Sequence, residues 1–222
     1  MVTDLQDIPE SIFNNWQRIV DIIAEMLEVS SSVITKVEHS SIEIIKTNES
    51  GNNPFKTGEI HELSGCYCEQ VIKEEKPVQI YNANKSDNWG DNPELDFGLI
   101  SYYGFPICQP DGSIMGTLCI FDNKERDYEE SQEKLLLEFK KLVENQLENV
   151  DLNQKLSNKL EEVNQFKNFA QSSLNSLSAN IAVLDDEGVI QYTNQAWKEF
   201  AENNGLCPEK CNQGINYIKV CE

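Results

Sequence analysis

The spacing of apolar positions changes several times along the chain, and each change predicts a different element. Ile12, Trp16, Ile19, Ile23 and Met26 recur in steps of four and three, behind Pro9 and Glu10. That spacing places them on one face of a helix, and a proline followed by an acid suits a helix start. Residues 31–48, SSVITKVEHSSIEIIKTN, carry two β-branched runs split by His39-Ser40-Ser41, which predicts a hairpin. Residues 48–58 read as a loop. LSGCYCEQVIKEEK (63–76) opens with Ser64 and carries Glu69 and Val71-Ile72, a short helix that Pro77 stops before a strand, VQIYNA (78–83). Residues 84–101 are polar, rich in Asn and Asp, and contain Trp89 and Phe97; an irregular stretch of that length reads as a functional loop or lid.

YYGFPICQPDGSIMGTLCIFD (102–122) is two apolar runs around Pro-Asp-Gly, a hairpin. If Gln109 pairs with Ser113, one face carries Tyr103, Phe105, Ile107, Met115, Thr117, Cys119 and Phe121. The other then carries Gly104, Pro106, Cys108, Ile114, Gly116, Leu118 and Ile120. A bulge at Gly112 would slip this register, yet both faces would remain apolar. Both must therefore be covered. The terminal helices can cover one face, which leaves the short helix and the long loop for the other, an arrangement that favours a pocket.

From Tyr128 the pattern is helical for about 50 residues, about 75 Å at 1.5 Å per residue. Leu135, Phe139, Leu142, Leu156, Leu160, Val163, Ala170, Leu174 and Leu177 fit one three-four register, shared with Gln146, Asn149, Asn153 and Lys167. Val143, Leu147 and Val150 offer a neighbouring stripe. A helix that outruns its domain needs a partner for its seam, and a parallel homodimeric coiled coil is the expectation.

The net charge of −20, from 38 acidic and 18 basic residues, argues against nucleic-acid binding, which needs a basic footprint, and against docking on an anionic membrane. No apolar run approaches the ~18 residues that span a bilayer, and MVTDLQDIPESIF does not read as a secretory signal, so the cytoplasm is the expected location. Seven cysteines, at 66, 68, 108, 119, 207, 211 and 221, are expected as free thiols. Neither CYC (66–68) nor CPEKC (207–211), with His39 and His61, completes a zinc set, and no metal site is expected.

The succession Cys68, Val71-Ile72, Pro77, Asn92-Pro93, Tyr103, Gly104-Phe105-Pro106, Pro110-Asp111-Gly112 and Gly116-Thr117-Leu118-Cys119-Ile120-Phe121-Asp122 resembles a GAF domain over roughly residues 10–150. In particular it looks like the GAF domains of bacterial and archaeal sensor proteins of the sensor histidine kinase type. The resemblance implies an α+β fold: a central antiparallel sheet of five or six strands, helices from both termini on one side, and a small-molecule pocket under loops on the other. IAVLD, the turn DEG, VIQYTN and a helix from about Gln195 resemble the opening of a PAS domain, with GINYIKVCE (214–222) similar to a later segment. The expected organisation is a GAF domain with its N-terminal helix (1–128), a signalling helix (129–178) and an incomplete PAS α/β segment (179–222).

The candidate pocket residues are Cys66, Cys68, Trp89, Phe97, Ser101, Tyr103, Phe105, Cys119 and Phe121. Cys68 and Cys119 are expected as small core hydrophobes. Cys66 stands at the start of the short helix, where a thiol can have its pKa lowered, so it is the candidate redox residue. His61 is the candidate haem ligand. Asn123-Lys124 and Tyr128 echo a cyclic-nucleotide signature only in part, because Gln132-Glu133 replaces its acidic pair. A bilin would want a Cys-His pair in the lid, and 84–101 contains neither residue. Asp87, Asp91 and Asp96 disfavour an anionic ligand. No kinase, cyclase or other catalytic signature is present, so this part of the chain is not expected to be an enzyme. The expected function is sensory: a small molecule binds in the GAF pocket, and the change passes through the dimeric helix to a downstream output in cis, such as a histidine kinase. The alternatives are a ligand-free dimerisation scaffold and a thiol-redox or haem-based sensor. Cys66→Ser separates the redox sensor from the others.

Overall fold

The computed structural model describes residues 8–49, 51–86, 88–205 and 213–221, in two compact units, 1–154 and 155–222. Asp87 and the Cys207/Cys211 pair lie outside the described residues.

In the first unit, helix α1 (Glu10–Leu27) turns Trp16, Ile19, Val20, Ile23, Ala24 and Leu27 inward. The predicted stripe is right except at its end: Met26 is 60% exposed, because Leu27, a full turn after Ile23, takes the inward place. Strands β1 (Ser31–Glu38) and β2 (Ser41–Thr47) form the predicted hairpin around a left-handed His39. β3 (Ile60–Glu62) extends it, an edge strand not anticipated from the sequence, whose Ile60 is exposed. Helix α2 (Tyr67–Glu74) begins after Cys66, and β4 (Val78–Ile80) is shorter than predicted. The long connection holds two 3₁₀ turns, Ala83–Lys85 and Pro93–Phe97, each opened by an asparagine, Asn82 or Asn92, whose side chain accepts a backbone N–H. β5 (Ser101–Cys108) and β6 (Ile114–Asp122) complete an antiparallel sheet of order β3-β2-β1-β6-β5-β4. Helix α3 (Glu130–Asn175) follows.

The two apolar faces of the β5–β6 hairpin are covered by different means. On one side Tyr103, Phe105, Ile107, Leu118 and Ile120 pack with α1 and with Leu136, Val143 and Leu147 of α3. On the other, Tyr102, Cys119 and Phe121 pack with α2, Phe55 and Leu99. Gln109 N–H does bond the Ser113 carbonyl at 2.7 Å, as the sequence suggested. The register then shifts between Ile107 and Cys108: Cys108 faces Ile114 and Ile107 faces Gly116, leaving Met115 as the extra residue. A one-residue slip sends one strand to the opposite face of its partner. Tyr103 and Phe105 therefore belong to the helix side, and the register expected from the turn alone is corrected.

Next to that bulge the sheet closes tightly. Thr117 N–H donates to Thr35 Oγ1 at 3.0 Å, and the two threonine hydroxyls lie 2.8 Å apart. A Cβ at Gly116 would stand 1.9 Å from the Thr35 carbonyl oxygen. The obstacle is backbone and cannot swing aside. At Gly104 the absent Cβ makes room for the Tyr102 ring, whose hydroxyl would lie 1.9 Å from it.

The first half of α3 is not free for a partner throughout. Leu136, Val143, Leu147 and Val150 are buried, and Leu135 and Phe139 are partly buried against the same core. Gln146, read from the sequence as a polar seam position, instead accepts the Trp16 indole N–H at 2.8 Å. Further along, Leu156 and Leu160 are 69% and 60% exposed, and Leu142, Val163, Phe166, Phe169 and Leu177 are exposed as well.

In the second unit, β7 (Ala182–Leu184) and β8 (Ile190–Thr193) pair antiparallel and helix α4 (Gln195–Asn203) follows. Asn194 is fully buried and joins the pieces. Its Oδ1 accepts from Ile181 N–H at 2.9 Å and caps α4 through Trp197 N–H at 3.0 Å, while its Nδ2 donates to the Leu174 and Ala179 carbonyls.

Gly116→Ala is expected to destabilise the chain by about 1–3 kcal/mol, since backbone must move to admit the methyl group. Urea unfolding followed by circular dichroism measures it, and an unchanged midpoint would show that the β1–β6 contact yields freely.

Candidate functional site

A cavity of about 330 Å³ lies on the α2 side of the sheet, within the size range of small-molecule sites. Its floor is Val33, Ile42, Ile44 and Phe121 from the strands, and its roof is Phe55, Cys66, Cys68 and the second 3₁₀ turn with Pro93, Glu94 and Phe97. His61, Glu62, Ser64, Gly65 and Asp91 close the sides. The roof is fastened to the α2 entry by Asn92 Nδ2, which donates to the Gly65 carbonyl at 2.8 Å. Phe55 sits 5.0 Å from Phe121 and 6.0 Å from Phe97, centroid to centroid, so one wall is aromatic.

Four of the sequence candidates line this cavity: Cys66, Cys68, Phe97 and Phe121. Trp89 stands instead in an adjoining cleft with Glu69 and Asn92, edge-on to the Tyr67 ring at 5.4 Å. Ser101 and Cys119 are buried behind the wall, where Ser101 Oγ donates to the Asp122 carbonyl. Tyr103 and Phe105 are corrected, because the Met115 bulge carries them to the helix side. Phe55 and Glu94 escaped the sequence reading. Phe55 sits in a stretch read as plain loop, and Glu94 is one of several acids in an acidic lid, with nothing local to mark it as the buried one.

A sulfur cluster runs from the cavity wall into the core behind it. Cys68 Sγ is 3.8 Å from Cys119 Sγ, too far for a disulfide, and Cys66, Cys68, Cys108 and Cys119 are free thiols. Donors converge on Cys68: the Cys119 thiol, the Thr117 hydroxyl at 3.4 Å and the Tyr102 hydroxyl at 3.4 Å. Burial pushes the Cys119 thiol well above its ordinary pKa. The helix-start argument for Cys66 does not hold either. Its thiol donates to the Leu63 carbonyl at 3.1 Å, and the bond to Cys68 followed by burial raises its pKa, which keeps it protonated.

Charge in the cavity is of one sign. Glu62, Asp91 and Glu94 line it, without a lysine or arginine among the lining residues. Glu94 is only 7% exposed, and burial, then the neighbouring Cys68, pushes its pKa up to about 8. His61 does face the cavity; its Nε2 lies 3.7 Å from the Glu59 carboxylate, outside hydrogen-bond reach. A haem brings two carboxylates of its own, which this acidic lining would repel, so the pocket does not fit that group despite the placement of His61.

The family model of the GAF domain matches residues 15–147, more than half of the chain, and the chain belongs to the GAF domain family. Among solved structures, it is similar to the blue-light absorbing form of the Thermosynechococcus elongatus PixJ GAF domain at 11% identity, with 74% of this chain and 98% of that one covered and a TM-score of 0.58. It is also similar to the GAF domain of an Acinetobacter phosphoenolpyruvate-protein phosphotransferase, at 19% identity over 66% of this chain and 86% of that one, TM-score 0.51. A third is the type II free methionine-R-sulfoxide reductase of Thermoplasma acidophilum, at 15% identity over 64% and 95%, TM-score 0.51. At these identities the likeness is one of fold. No curated protein matches the chain. Among the described residues no helix is long and apolar enough to cross a membrane.

A carboxyl with a raised folded pKa makes folding take up a proton, so Glu94 lowers stability as pH rises from about 4.5 towards 8 and adds no further change above that. The stability of the wild type is expected to fall relative to Glu94→Gln across this window by up to about 1.4 kcal/mol per pH unit, and its melting temperature with it. Parallel thermal melts between pH 5 and 9 check it; curves that stay parallel would place Glu94 in water.

Proposed function

We propose that this chain is the sensory portion of a cytoplasmic signal-transduction protein, in which a small molecule binds in the GAF cavity and biases the packing of α3. The observation that carries the reading is the continuity between cavity and helix. Phe121 lines the cavity, and the next residue, Asp122, is buried with its carboxylate paired to Arg126. Arg126 also donates to the Glu28 carbonyl at the end of α1, and Ser30 Oγ donates to Asp122 Oδ1 at 2.7 Å. Four residues later α3 begins. A displacement of the β6 end therefore meets the C-terminus of α1 and the root of α3 at one ionic knot.

A ligand shifts such an equilibrium only by its differential affinity for the two helix arrangements. The exposed apolar positions Leu156, Leu160 and Val163 fit a parallel homodimeric coiled coil in which those arrangements differ. The segment from Ala182 to Asn203, strand-turn-strand-helix, supports its reading as the opening of a PAS domain that hands the signal to an output such as a histidine kinase. The competing reading, a dimerisation scaffold without ligand, is disfavoured by a cavity walled with aromatics and a buried acid. The thiol-redox reading loses Cys66 as its residue, because that thiol is held protonated, while the donors that converge on Cys68 lower the pKa of a thiol that is itself buried.

Native mass spectrometry of the purified chain is expected to give a dimer, with a retained small mass that leaves on denaturation. An empty dimer that binds nothing from a metabolite set would favour the scaffold, and a monomer would end the proposed signalling route. Leu160→Asp is expected to shift the dimer to monomer in analytical ultracentrifugation, while the melting of the GAF unit is unchanged.

A further inference from the structure

Two polar atoms inside the GAF cavity are buried without a hydrogen-bond partner: Glu94 Oε2 and His61 Nε2. A buried carboxyl oxygen without a partner is costly for the folded protein, whether the group is neutral or ionised. The carboxyl is approached by its own backbone N–H, by that of Tyr67 and by the Asn92 side chain, yet Oε2 makes no hydrogen bond. Because Glu94 lines the cavity, a donor on a ligand that reaches this carboxyl would supply the missing bond.

The walls narrow the donor's identity. Phe55, Phe97 and Phe121 line the cavity with aromatic surface suited to a cation and to hydrocarbon. Glu62 and Asp91 add negative potential, which opposes an anion and attracts a cation. We propose that the cavity takes a small primary amine with an apolar body, its ammonium group donating to Glu94 Oε2 and its hydrocarbon part lying among the three phenylalanines. This rests on the reading of the cavity as a ligand site and deepens it.

Proton exchange follows from the same geometry. The titratable groups that interact with Glu94 are Cys66 at the α2 N-cap and Tyr67 and Cys68 of α2, and those sharing its cavity are His61 and Glu62 of β3 and Asp91 of the connection; none is a lysine or arginine. With its pKa at about 8 in the empty cavity, Glu94 holds a proton near neutrality. An ammonium ion beside it favours the ionised form, so binding at pH 7 releases that proton to solvent. Affinity then rises with pH up to about 8, where Glu94 is ionised already, and holds until the amine itself loses its proton, near pH 10 for a simple alkylamine.

The test is isothermal titration of the full chain at pH 7 with 2-phenylethylamine hydrochloride, with 2-phenylethanol and 3-phenylpropanoate as size-matched neutral and anionic probes. Each titration is run in two buffers of different protonation enthalpy. The amine is expected to bind at least about tenfold tighter than either control, as one charge-assisted hydrogen bond implies, and to release close to one proton per molecule. Glu94→Gln is expected to lose that preference and the proton release while keeping its cooperative melt. If the alcohol or the acid binds as tightly as the amine, or if Glu94→Gln leaves the amine's affinity unchanged, the amine inference is overturned and the cavity remains a ligand site. Silence from all three probes at millimolar concentration overturns the ligand-site reading and the amine with it.

Discussion

The β5–β6 hairpin meets water on neither face, and most of the first unit follows from that constraint. Each face removes aromatic and branched side chains from solvent, at roughly 1.5–3 kcal/mol for each large one. Neither face can be left open. The helical side is closed as a packed core: Trp16, Ile23, Phe105, Leu118, Leu136 and Leu147 are all fully buried or nearly so. The other side is closed by one short helix and a long connection, and these cannot fill the space as densely as two long helices. The cavity is what remains, and the residues around it are accordingly a mixture of strand, loop and helix-entry positions.

That asymmetry separates two tasks. The helix side carries rigidity, because its elements are long and their contacts are spread over many residues. The loop side holds titratable groups, the free thiols at Cys66, Cys68 and Cys119 and the buried Glu94, under a roof held by asparagine bonds such as Asn92 to Gly65. A roof of this kind can open at lower free-energy cost than the sheet beneath it. The acidic balance of the chain extends to this cavity, whose lining holds Glu62, Asp91 and Glu94.

The sequence revealed the architecture more clearly than the site. Periods of four and three in α1, two β-branched runs around His39, and the Pro-Asp-Gly turn are signals repeated over many residues, and each element formed where they pointed. The site depended on single events. One extra residue at Met115 flips β5 relative to β6, and no composition rule marks that position, so Tyr103 and Phe105 were expected in the pocket and lie under the helices. β3 is three residues long and leaves no periodic trace. Glu94 differs from the exposed Asp96 two residues later only in the way the 3₁₀ turn points it. Gly104 and Gly116 were readable in kind, since glycine within a strand marks a close approach, although which neighbour approaches is a tertiary fact.

The hydrogen bond from the Trp16 indole to Gln146 has a further consequence. Apolar side chains alone let one helix slide or turn against another in small steps, because one methyl group replaces another at little cost. A polar pair set into that layer removes the intermediate positions. Any partial rotation of α3 against α1 strands a buried N–H without an acceptor, a penalty of about 1–3 kcal/mol, while a full step must supply a new partner. The bond makes the rotational setting of α3 discrete, so the helix has detents where an apolar seam would have allowed drift.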